Sequence, residues 1–517
     1  MRQPTVLITG ASDGIGLALA QRYRSHGARV LGVGRRPAAE LPGDYCRVDL
    51  TQPFAAAVVA DFLRQRGVDA LDQLIHCAGV GSYGPIEAQA SGAIDTLLDT
   101  NLHAPIALTH ALLPALAAAA GRVIFIGSVV AALPAPEYAV YGATKAAIEG
   151  FARSLRVELR GRVGVQVIHP GATRTGMHAK VGAPLERIGW RRFPPPERVA
   201  QQIVRASAGG APIATIGLGN RLLRFAGRYL GGVAERAVAG RKPPAADREL
   251  APAFNTSRPA SPTRRHCVVT GGADGIGRAV AERFARAGYA LTIVDRDGER
   301  ASGLCQAIQA AGGLAEWIQA DLAQAAELAG ALRLLAGRPP ADVFVHSAGI
   351  SAVGRFGEGK LARQHAVLDV NLRAPMQLTA GALRSGLVAS GATLVYIASL
   401  SVFTSYPGAA VYAASKDGLA AYARSLRAAL LGHGFNVLTV YPGPTRTAHA
   451  RRYSPDNRRE QRRMPPEQLA RLLYAAVARR DRALIPGPGN QLAAALGRIA
   501  PALTEELMRR TILDKLP

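Results

Sequence analysis

The feature that most constrains this chain is an internal repeat that runs through nearly its whole length. TGASDGIG, which begins at Thr9, recurs as TGGADGIG, which begins at Thr270. Four further segment pairs follow in the same order in both copies: HCAG and HSAG, TNLHAP and VNLRAP, YGATK and YAASK, HPGATRT and YPGPTRT. From HCAG onward, the second copy follows the first at an offset of 270 to 272 residues. A register kept over so many segments predicts a tandem duplication.

The duplication divides the chain of 517 residues into two domains joined by a linker. We assign residues 1–241 to the first domain and residues 266–517 to the second. Residues 242–265 are rich in proline and serine and show no hydrophobic periodicity, which is typical of a linker.

Short β-branched runs alternate with helical patterns in each copy, as in VLITG, RVLGVG and QLIHCAG of the first. This alternation predicts parallel strands joined by crossover helices, and therefore two doubly wound, Rossmann-type α/β domains in tandem. The copies differ in length after the second strand. Gly34 and Asp49 are 15 positions apart, whereas Asp295 and Asp321 are 26 apart. The first copy is therefore predicted to lack most of one helix.

Composition and cysteine usage exclude several classes of protein. Apolar residues make up 49% and charged residues 19% of the chain, which excludes a disordered protein. The four cysteines are far apart and form no CxxC motif, so we expect neither disulfides nor a metal site, and a cytoplasmic location. A strand pattern at residues 5–8 leaves no room for a signal peptide. The longest apolar run contains Pro114 and is too short for a transmembrane helix.

Each copy has a glycine-rich turn between a strand and a helix. Glycine at such a turn lets the backbone and the helix N-terminus approach a pyrophosphate, so both turns predict dinucleotide binding. A turn that serves only to start a helix is the alternative. The residues assigned to these turns are Gly10, Ser12, Gly14, Ile15 and Gly16 in the first copy and Gly271, Gly275, Ile276 and Gly277 in the second.

The end of the second strand predicts which dinucleotide each copy binds. Asp295 ends this strand in the second copy, and a carboxylate there accepts hydrogen bonds from a ribose 2′-OH and repels a 2′-phosphate. The first copy has no acid at this place and offers Arg35 and Arg36, which suit a 2′-phosphate unless they are merely solvated. We therefore predict NADP in domain 1 and NAD in domain 2.

A serine, a tyrosine and a lysine recur at the same spacing in both copies. They are Ser128, Tyr141 and Lys145 in the first and Ser399, Tyr412 and Lys416 in the second. The tyrosine and lysine are four residues apart and share one helix face. A nearby ammonium stabilises a phenolate, and a serine hydroxyl can hold a carbonyl oxygen on which charge develops during hydride transfer. Each set therefore predicts interconversion of alcohols and ketones.

These motifs together resemble the short-chain dehydrogenase/reductase family over nearly the whole of both copies. The resemblance implies an NAD(P)-dependent oxidoreductase that acts on secondary alcohols or ketones in both domains. It also implies further site residues of three kinds. They are Asn101 and Asn371 for the water of a proton relay, Asp49 and Asp321 for the adenine, and Thr175 and Thr447 for the nicotinamide amide.

The AG motif of the family also occurs in both copies, with one departure. The resemblance assigns Ala78, Gly79, Ala348 and Gly349 to the cofactor site, together with Lys145 and Lys416. The asparagine that usually precedes this pair is Cys77 in the first copy and Ser347 in the second. Because the motif braces the sheet around the cofactor, the departure affects stability more than chemistry.

Charge leaves several partners open. A net charge of +25 allows nucleic acid, an anionic membrane or an anionic substrate, but no helix-turn-helix or zinc motif supports nucleic acid. Six arginines in residues 451–463 suit a carrier-bound ketone or alcohol, although a solvated lid explains them equally well. The basic amphipathic tails, residues 218–241 and 488–515, suit peripheral membrane contact, a cover over an apolar cleft, or packing against their own domain.

The resemblance also predicts how the halves assemble, and it leaves more than one function open for them. Family members usually dimerise through the helices that contain YxxxK and the active-site asparagine, so we expect an intrachain pseudo-dimer, with a homodimer of chains as a further option. Two alternatives to a plain oxidoreductase stay open. They are redox-neutral inversion of a hydroxyl centre by both halves together, and a cofactor-binding sensor or scaffold without turnover. The intact residue sets favour the enzyme.

Overall fold

Each half of the chain forms one parallel sheet of seven strands flanked by helices. The predicted fold class, two doubly wound Rossmann-type domains in tandem, is therefore confirmed. The computed structural model describes residues 3–37, 44–186, 188–232, 235, 264–454 and 456–516. The predicted linker, apart from its last two residues, lies outside these described residues.

The first sheet reverses its strand order beside its first strand. Its strands are β1 (Thr5–Thr9), β2 (Arg29–Gly34), β3 (Tyr45–Arg47), β4 (Gln73–His76), β5 (Arg122–Ile126), β6 (Gly164–His169) and β7 (Ile213–Thr215). They lie in the order β3-β2-β1-β4-β5-β6-β7. The chain thus switches direction across the sheet between β1 and β4, and ligands of such sheets bind outside the carboxyl ends of the strands at this point.

Helices cover both faces of the first sheet. They are α1 (Gly14–Ser25), α2 (Ala55–Gln65), α3 (Ser91–Leu98), α4 (Ala104–Ala118), α5 (Ala139–Glu158), α6 (Met177–Lys180), α7 (Pro196–Ala208) and α8 (Leu218–Tyr229). Every residue of β1 is buried, as expected for a strand covered on both faces. Its run of β-branched and aliphatic residues suits that position.

The second sheet repeats this topology. Its strands are β8 (His266–Thr270), β9 (Ala290–Asp295), β10 (Leu314–Gln319), β11 (Ala341–His346), β12 (Val388–Ile397), β13 (Asn436–Val440) and β14 (Ala483–Leu484). Their order is β10-β9-β8-β11-β12-β13-β14, which is the order of the first sheet strand for strand. The duplication read from the sequence is therefore a duplication of the whole fold.

Among the described residues, the second half has more helices than the first. They are α9 (Gly275–Arg286), α10 (Gly298–Ala310), α11 (Ala325–Ala336), α12 (Leu361–Leu368), α13 (Ala374–Arg384), α14 (Ser401–Thr404), α15 (Ala410–Leu430), α16 (Ala448–Tyr453), α17 (Pro466–Ala478), α18 (Pro488–Ile499) and α19 (Pro501–Thr511). α10 connects β9 to β10, whereas the described residues between β2 and β3 form no helix. The predicted loss of a helix from the first half agrees with this difference.

The two halves pack on each other through α5 and α15. One hydrophobic core contains residues of both sheets, and the rings of Phe151 and Phe356 meet across the boundary with centroids 5.1 Å apart. Small residues let the helices approach closely, since a β-carbon at Gly418 would lie 3.1 Å from Cβ of Ala147. α5 and α15 are the helices that contain the tyrosine and the lysine, so both candidate sites lie beside this shared interface.

Candidate active sites

A tight glycine turn follows the first strand of each half. Gly10 and Gly271 have left-handed backbones with φ of 72° and 65°, which glycine adopts without strain. A β-carbon at Gly10 would lie 2.8 Å from Cα of Ala78, and one at Gly271 would lie 2.5 Å from Cα of Ala348. Only glycine therefore fits between the turn and the AG segment.

The other assigned turn residues lie at the starts of α1 and α9. α1 begins at Gly14 and α9 at Gly275. A β-carbon at Gly16 or Gly277 would collide with the carbonyl oxygen of the first glycine of its turn. Bare backbone N–H groups at a helix N-terminus, with no side chain above them, fit a pyrophosphate group. Ser12 and Ile15 occupy the same turn as Gly10, and Ile276 follows Gly275.

The AG segments are held by a threonine that the sequence analysis did not single out. The hydroxyl of Thr9 accepts hydrogen bonds from the backbone N–H groups of Cys77 at 3.1 Å and Ala78 at 3.0 Å. Thr270 does the same for Ser347 and Ala348 at 3.2 and 3.3 Å. The segment is thus braced through its backbone, and the residue before the AG pair need not be asparagine. Gly79 and Gly349 follow directly.

Basic side chains surround the end of β2 in the first half. Arg36 lies 2.9 Å from the carboxylate of Asp13, which Lys180 also contacts at 3.0 Å. Arg35 lies 3.7 Å from Asp49 and is 60% exposed. These contacts hold both guanidinium groups beside the cofactor turn. Three cationic side chains face two carboxylates here, so the end of β2 retains a net positive charge.

A carboxylate occupies the corresponding end of β9. Asp295 accepts a hydrogen bond from the backbone N–H of Ala273 in the glycine turn at 3.0 Å and another from Asp297 at 3.1 Å. These bonds fix the carboxylate at the rim of the cofactor cleft. Asp321, at the end of the next strand, accepts from the N–H of Ala323 at 3.0 Å and lines the same cleft.

The serine, tyrosine and lysine of the first half converge. Tyr141 and Ser128 share a side-chain hydrogen bond. Lys145 lies with its Nζ 5.7 Å from the centre of the Tyr141 ring and donates a hydrogen bond to the carbonyl of Ile126 at 3.0 Å. Burial raises the pKa of Tyr141 to about 12 and lowers the pKa of Lys145 to about 8.

The second half reproduces this arrangement. Tyr412 and Ser399 share a side-chain hydrogen bond, and Nζ of Lys416 lies 5.6 Å from the centre of the Tyr412 ring. Lys416 donates to the carbonyl of Ile397 at 2.8 Å. Burial raises the pKa of Tyr412 to about 12 and lowers the pKa of Lys416 to about 8.

Removal of the phenol from water raises the pKa of Tyr141 and of Tyr412 by more than the hydrogen bonds with Ser128 and Ser399 lower it. Both phenols are therefore neutral at physiological pH and able to donate a proton.

Each candidate asparagine lies in a single π-helical turn, Asp99–His103 or Asp369–Arg373. Asn101 is buried, and its side chain exchanges two hydrogen bonds of 2.9 Å with the backbone of Val80. Asn371 does the same with Ile350 at 2.8 and 2.9 Å. The asparagine side chains thus hold the loop after the AG motif. A π-turn leaves a main-chain carbonyl without its usual helical partner, which suits a water relay.

Thr175 and Thr447 lie against the glycine turns, as their assignment to the cofactor requires. A β-carbon at Gly14 would lie 3.2 Å from Cγ2 of Thr175, and one at Gly275 would lie 3.3 Å from Cγ2 of Thr447. The Thr447 hydroxyl also accepts from the N–H of Ala450 at 3.1 Å.

A cavity of about 2070 Å³ runs through the second half. It is continuous from the glycine turn, past Ser399, Tyr412 and Lys416, to the arginine-rich segment 451–463 and the C-terminal helices. The cavity thus joins the candidate cofactor turn and the candidate reacting groups in one space. Among the described residues, no group of three or more His, Cys, Asp or Glu side chains could hold a metal ion.

The model of the short chain dehydrogenase family matches residues 4–186 and 265–458, which together form most of the chain and include every candidate residue of both sites. The chain belongs to the short-chain dehydrogenase family. The resemblance read from the motifs is therefore confirmed, and the chain is an NAD(P)-dependent enzyme of this family with two copies of its fold.

Curated relatives match one copy at a time. Serine 3-dehydrogenase of Agrobacterium fabrum is 36% identical over 181 residues, which is 33% of this chain and 72% of that protein. Ketoacyl reductase HetN of a Nostoc species is 32% identical over 184 residues, 35% of this chain and 63% of that protein. The chain thus spans most of the length of these dehydrogenases within one half.

Solved structures match either one half or both. A short-chain dehydrogenase from Sphingobium yanoikuyae in complex with NADPH is 27% identical and covers 46% of this chain and 95% of its own, with a TM-score of 0.42. An N-terminal ketoreductase from a macrolactin assembly line is 11% identical, covers 93% of this chain and 86% of its own, and has a TM-score of 0.61. The second likeness shows that a fold of this double form occurs in another protein.

This dehydrogenase also contains an ion network that the motifs did not reveal. His169, at the end of β6, lies with its Nδ1 3.1 Å from the backbone nitrogen of Ser128 and its Nε2 3.2 Å from Glu149 of α5. Arg224 of α8 reaches the same carboxylate at 3.1 Å. The network connects the tail helix to the backbone of the candidate serine. Tyr441 takes the place of His169 in the second half.

Proposed function

We propose that this dehydrogenase is a bifunctional oxidoreductase that interconverts secondary alcohols and ketones, with NADP bound in the first half and NAD in the second. The observation that supports the activity most directly is the convergence of a neutral phenol, an ammonium and a hydroxyl in each half. This combination sits at the carboxyl ends of the strands, next to a glycine cradle that fits a dinucleotide. A sensor without turnover would have no need for either set.

The residues of each set have separable tasks. When bound, the nicotinamide supplies or accepts the hydride. In the direction of reduction, the hydroxyl of Ser128 or Ser399 donates a hydrogen bond to the substrate carbonyl oxygen, and the phenol gives its proton to that oxygen as the hydride reaches the carbon. The buried ammonium then stabilises the phenolate that remains. In oxidation the same proton returns to the phenolate.

Cofactor choice rests on the opposite charges at the ends of β2 and β9. We expect Arg35→Asp/Arg36→Ala to weaken NADPH binding by the first half about 10- to 100-fold, because charge-assisted hydrogen bonds contribute about 1.5–3 kcal/mol. Asp295→Ala should relax discrimination against NADP in the second half. Fluorescence titration of each full-length variant with NADPH and NADH measures both effects.

The matched control for the cofactor experiment is Arg64→Ala, an exposed arginine of α2 that lies outside the candidate site. Its NADPH affinity should equal that of the parent chain. A parent chain in which both halves prefer NADH would overturn the assignment of NADP to the first half.

The opposite charges at the ends of β2 and β9 also favour a second candidate function, redox-neutral inversion of a carbinol. An NAD site suits oxidation and an NADP site suits reduction in cells, so a ketone formed in the second half could be reduced to the opposite stereoisomer in the first. Each oxidation transfers one hydride to NAD, and each reduction returns one from NADPH, so the alcohol undergoes no net redox change.

Inversion is tested by incubating one alcohol stereoisomer with NAD and NADPH together and resolving the product by chiral chromatography. We expect the opposite stereoisomer to accumulate with the parent chain. Accumulation of the ketone alone, or return of the starting stereoisomer, would contradict inversion and leave a plain oxidoreductase with two sites.

The positive charge of the arginine-rich segment suggests that an anionic group binds near the substrate. Arg451, Arg452 and Arg462 are exposed and line the mouth of the cavity of the second half. A phosphate, whether on a carrier-bound ketone or on a lipid headgroup, would meet these guanidinium groups.

We further propose a cytoplasmic location, and a pseudo-dimer of the two halves that persists in solution.

A further inference from the structure

We propose that α8 of the first half and α18 and α19 of the second form one surface that docks on an anionic lipid bilayer, and that a lipophilic substrate enters the second half from this bilayer. We call residues 218–230 and 488–511 the tail surface. The docking stands on its own, whereas the substrate route rests on the proposed oxidoreductase function.

Exposed apolar side chains are concentrated on the tail surface. Eleven of the 18 large hydrophobic side chains that are exposed among the described residues belong to it, although it is a small part of the chain. Leu218 is 73% exposed, Phe225 58%, Ile499 78% and Leu503 61%. Single exposed apolar residues need no explanation, but a concentration of this kind marks an interaction site.

The two tails are neighbours although they are more than 250 residues apart in sequence. The hydroxyl of Tyr229 in α8 donates a hydrogen bond to the carbonyl of Arg498 in α18 at 3.0 Å. α8 lies against the loop after β5 through Gly227, and α18 lies against α14 through Gly497. The C-terminal ends of α8 and α18 therefore meet at the boundary between the halves.

The charge around this surface matches an anionic partner. The α8 segment has Arg221 and Arg228 and no acidic residue, while its third arginine, Arg224, is buried and paired with Glu149. The arginine-rich segment 451–463 lies beside the 3-10 turn Leu513–Lys515 that follows α19, since Asp456 contacts Lys515 at 2.9 Å. Apolar side chains bordered by arginines are typical of helices that lie in the headgroup region of a membrane. Each arginine near an anionic bilayer contributes about 1 kcal/mol to binding.

Charge also favours an anionic bilayer over a second copy of this chain as the partner of the tail surface. A self-complementary contact would bring two chains of net charge +25 together through their basic faces. An anionic bilayer instead neutralises this charge while it covers the apolar side chains. No helix of the described residues is long and apolar enough to cross a membrane, so the contact we propose is peripheral.

The cavity of the second half opens onto the tail surface. Leu496 and Leu507 are exposed to solvent, and both also line the cavity that contains Tyr412. The cavity therefore connects the tail surface with the candidate reacting groups. On a bilayer, this opening would face the boundary between headgroups and acyl chains, from which a long-chain ketone or alcohol could enter.

Docking is tested by cosedimentation of the full chain with vesicles, without cofactor or substrate. We expect binding to vesicles of phosphatidylcholine with phosphatidylglycerol, much weaker binding to phosphatidylcholine alone, and loss of binding at high salt. Phe225→Glu/Ile499→Glu places one acid on each tail and should lower partitioning about tenfold or more. Both side chains are exposed, so the substitutions leave the cores intact.

The matched control is Leu314→Glu/Leu334→Glu, which changes two leucines that are each 53% exposed and lie outside the tail surface. It should bind vesicles like the parent chain. Equal loss in this control, or no binding by the parent at low salt, would overturn the proposal. So would sedimentation velocity showing that Phe225→Glu/Ile499→Glu only dissolves a dimer of chains.

The substrate route is tested separately with decan-2-ol and butan-2-ol as probes. For the parent chain, vesicles should raise kcat/KM for decan-2-ol and leave butan-2-ol unchanged, and Phe225→Glu/Ile499→Glu should abolish this gain. Equal gains in parent and variant would overturn entry from the bilayer. Decanoyl-coenzyme A, added as a competitor without vesicles, distinguishes the two sources of a phosphate. It should inhibit turnover if the site takes a soluble phosphate group, and it should not inhibit if the site takes only a lipid headgroup. Absence of turnover with every alcohol would contradict the proposed function and leave vesicle binding as the readout of docking.

Discussion

Replacing Tyr141 by phenylalanine is expected to abolish turnover by the first half and to leave the second half at its parental rate. Removal of a positioned proton donor typically costs about 10²- to 10⁴-fold in rate. The ring stays in its buried place, where only the hydrogen bond to Ser128 is lost. Cofactor binding should therefore persist while the chemical step fails. Steady-state rates with a panel of ketones and alcohols, using NADPH and NAD separately, measure the effect.

The control for this experiment is built into the duplication. Tyr412→Phe should abolish the complementary set of reactions, and the double variant should retain neither. Tyr138→Phe removes a hydroxyl from the neighbouring ring, 6.2 Å away between centroids, and should leave the rate close to that of the parent chain. A first-half reaction that continues at the parental rate in Tyr141→Phe would contradict the assignment of the phenol as proton donor.

The parts of both sites that follow from local patterns were predictable. A glycine turn between a strand and a helix fixes where a pyrophosphate group can approach, and Tyr141 with Lys145 must share a helix face at a spacing of four. Strand alternation fixes the doubly wound topology, and the switch point then brings turn, tyrosine and lysine to one edge of the sheet. Each of these steps depends on residues that are near one another in sequence.

The groups that hold these residues were not predictable, because packing brings them together. Lys145 is oriented by the backbone carbonyl of Ile126, 19 residues earlier, and a carbonyl leaves no mark in the sequence. Thr9 braces a segment 68 residues away through its hydroxyl. The raised pKa of Tyr141 was not predictable for a related reason, since a motif does not reveal the burial that raises it.

Removing Asp417 should destabilise the whole chain, because its carboxylate pairs with a buried guanidinium of the other half. Arg153 of α5 lies 2.8 Å from Asp417 of α15, and the two side chains are only 10% and 12% exposed. Asp417→Ala would leave Arg153 buried without its counter-charge, which typically costs about 3–5 kcal/mol. Urea unfolding of the full chain should show this loss as a lower midpoint.

The same pair disfavours the association of two first halves. At the offset of 271 residues that relates the two tyrosines, Ala146 takes the place of Asp417, and Arg424 takes the place of Arg153. Arg424 donates instead to the carbonyl of Ala131 at 2.7 Å. Two first halves paired in this way would bury Arg153 against Ala146 without a counter-charge, whereas two second halves would place Arg424 opposite Asp417.

Two further variants, a charge swap and the loss of an exposed pair, show whether the ion pair between Arg153 and Asp417 itself causes the loss of stability. Arg153→Asp/Asp417→Arg restores opposite charges and should recover part of the stability that Asp417→Ala loses, because the two changes lie in contact and are not additive. Arg64→Ala breaks an exposed pair within α2 and should cost at most about 1 kcal/mol. If Asp417→Ala costs no more than Arg64→Ala, the two halves are held by their shared apolar core, and the ion pair does not determine which halves associate.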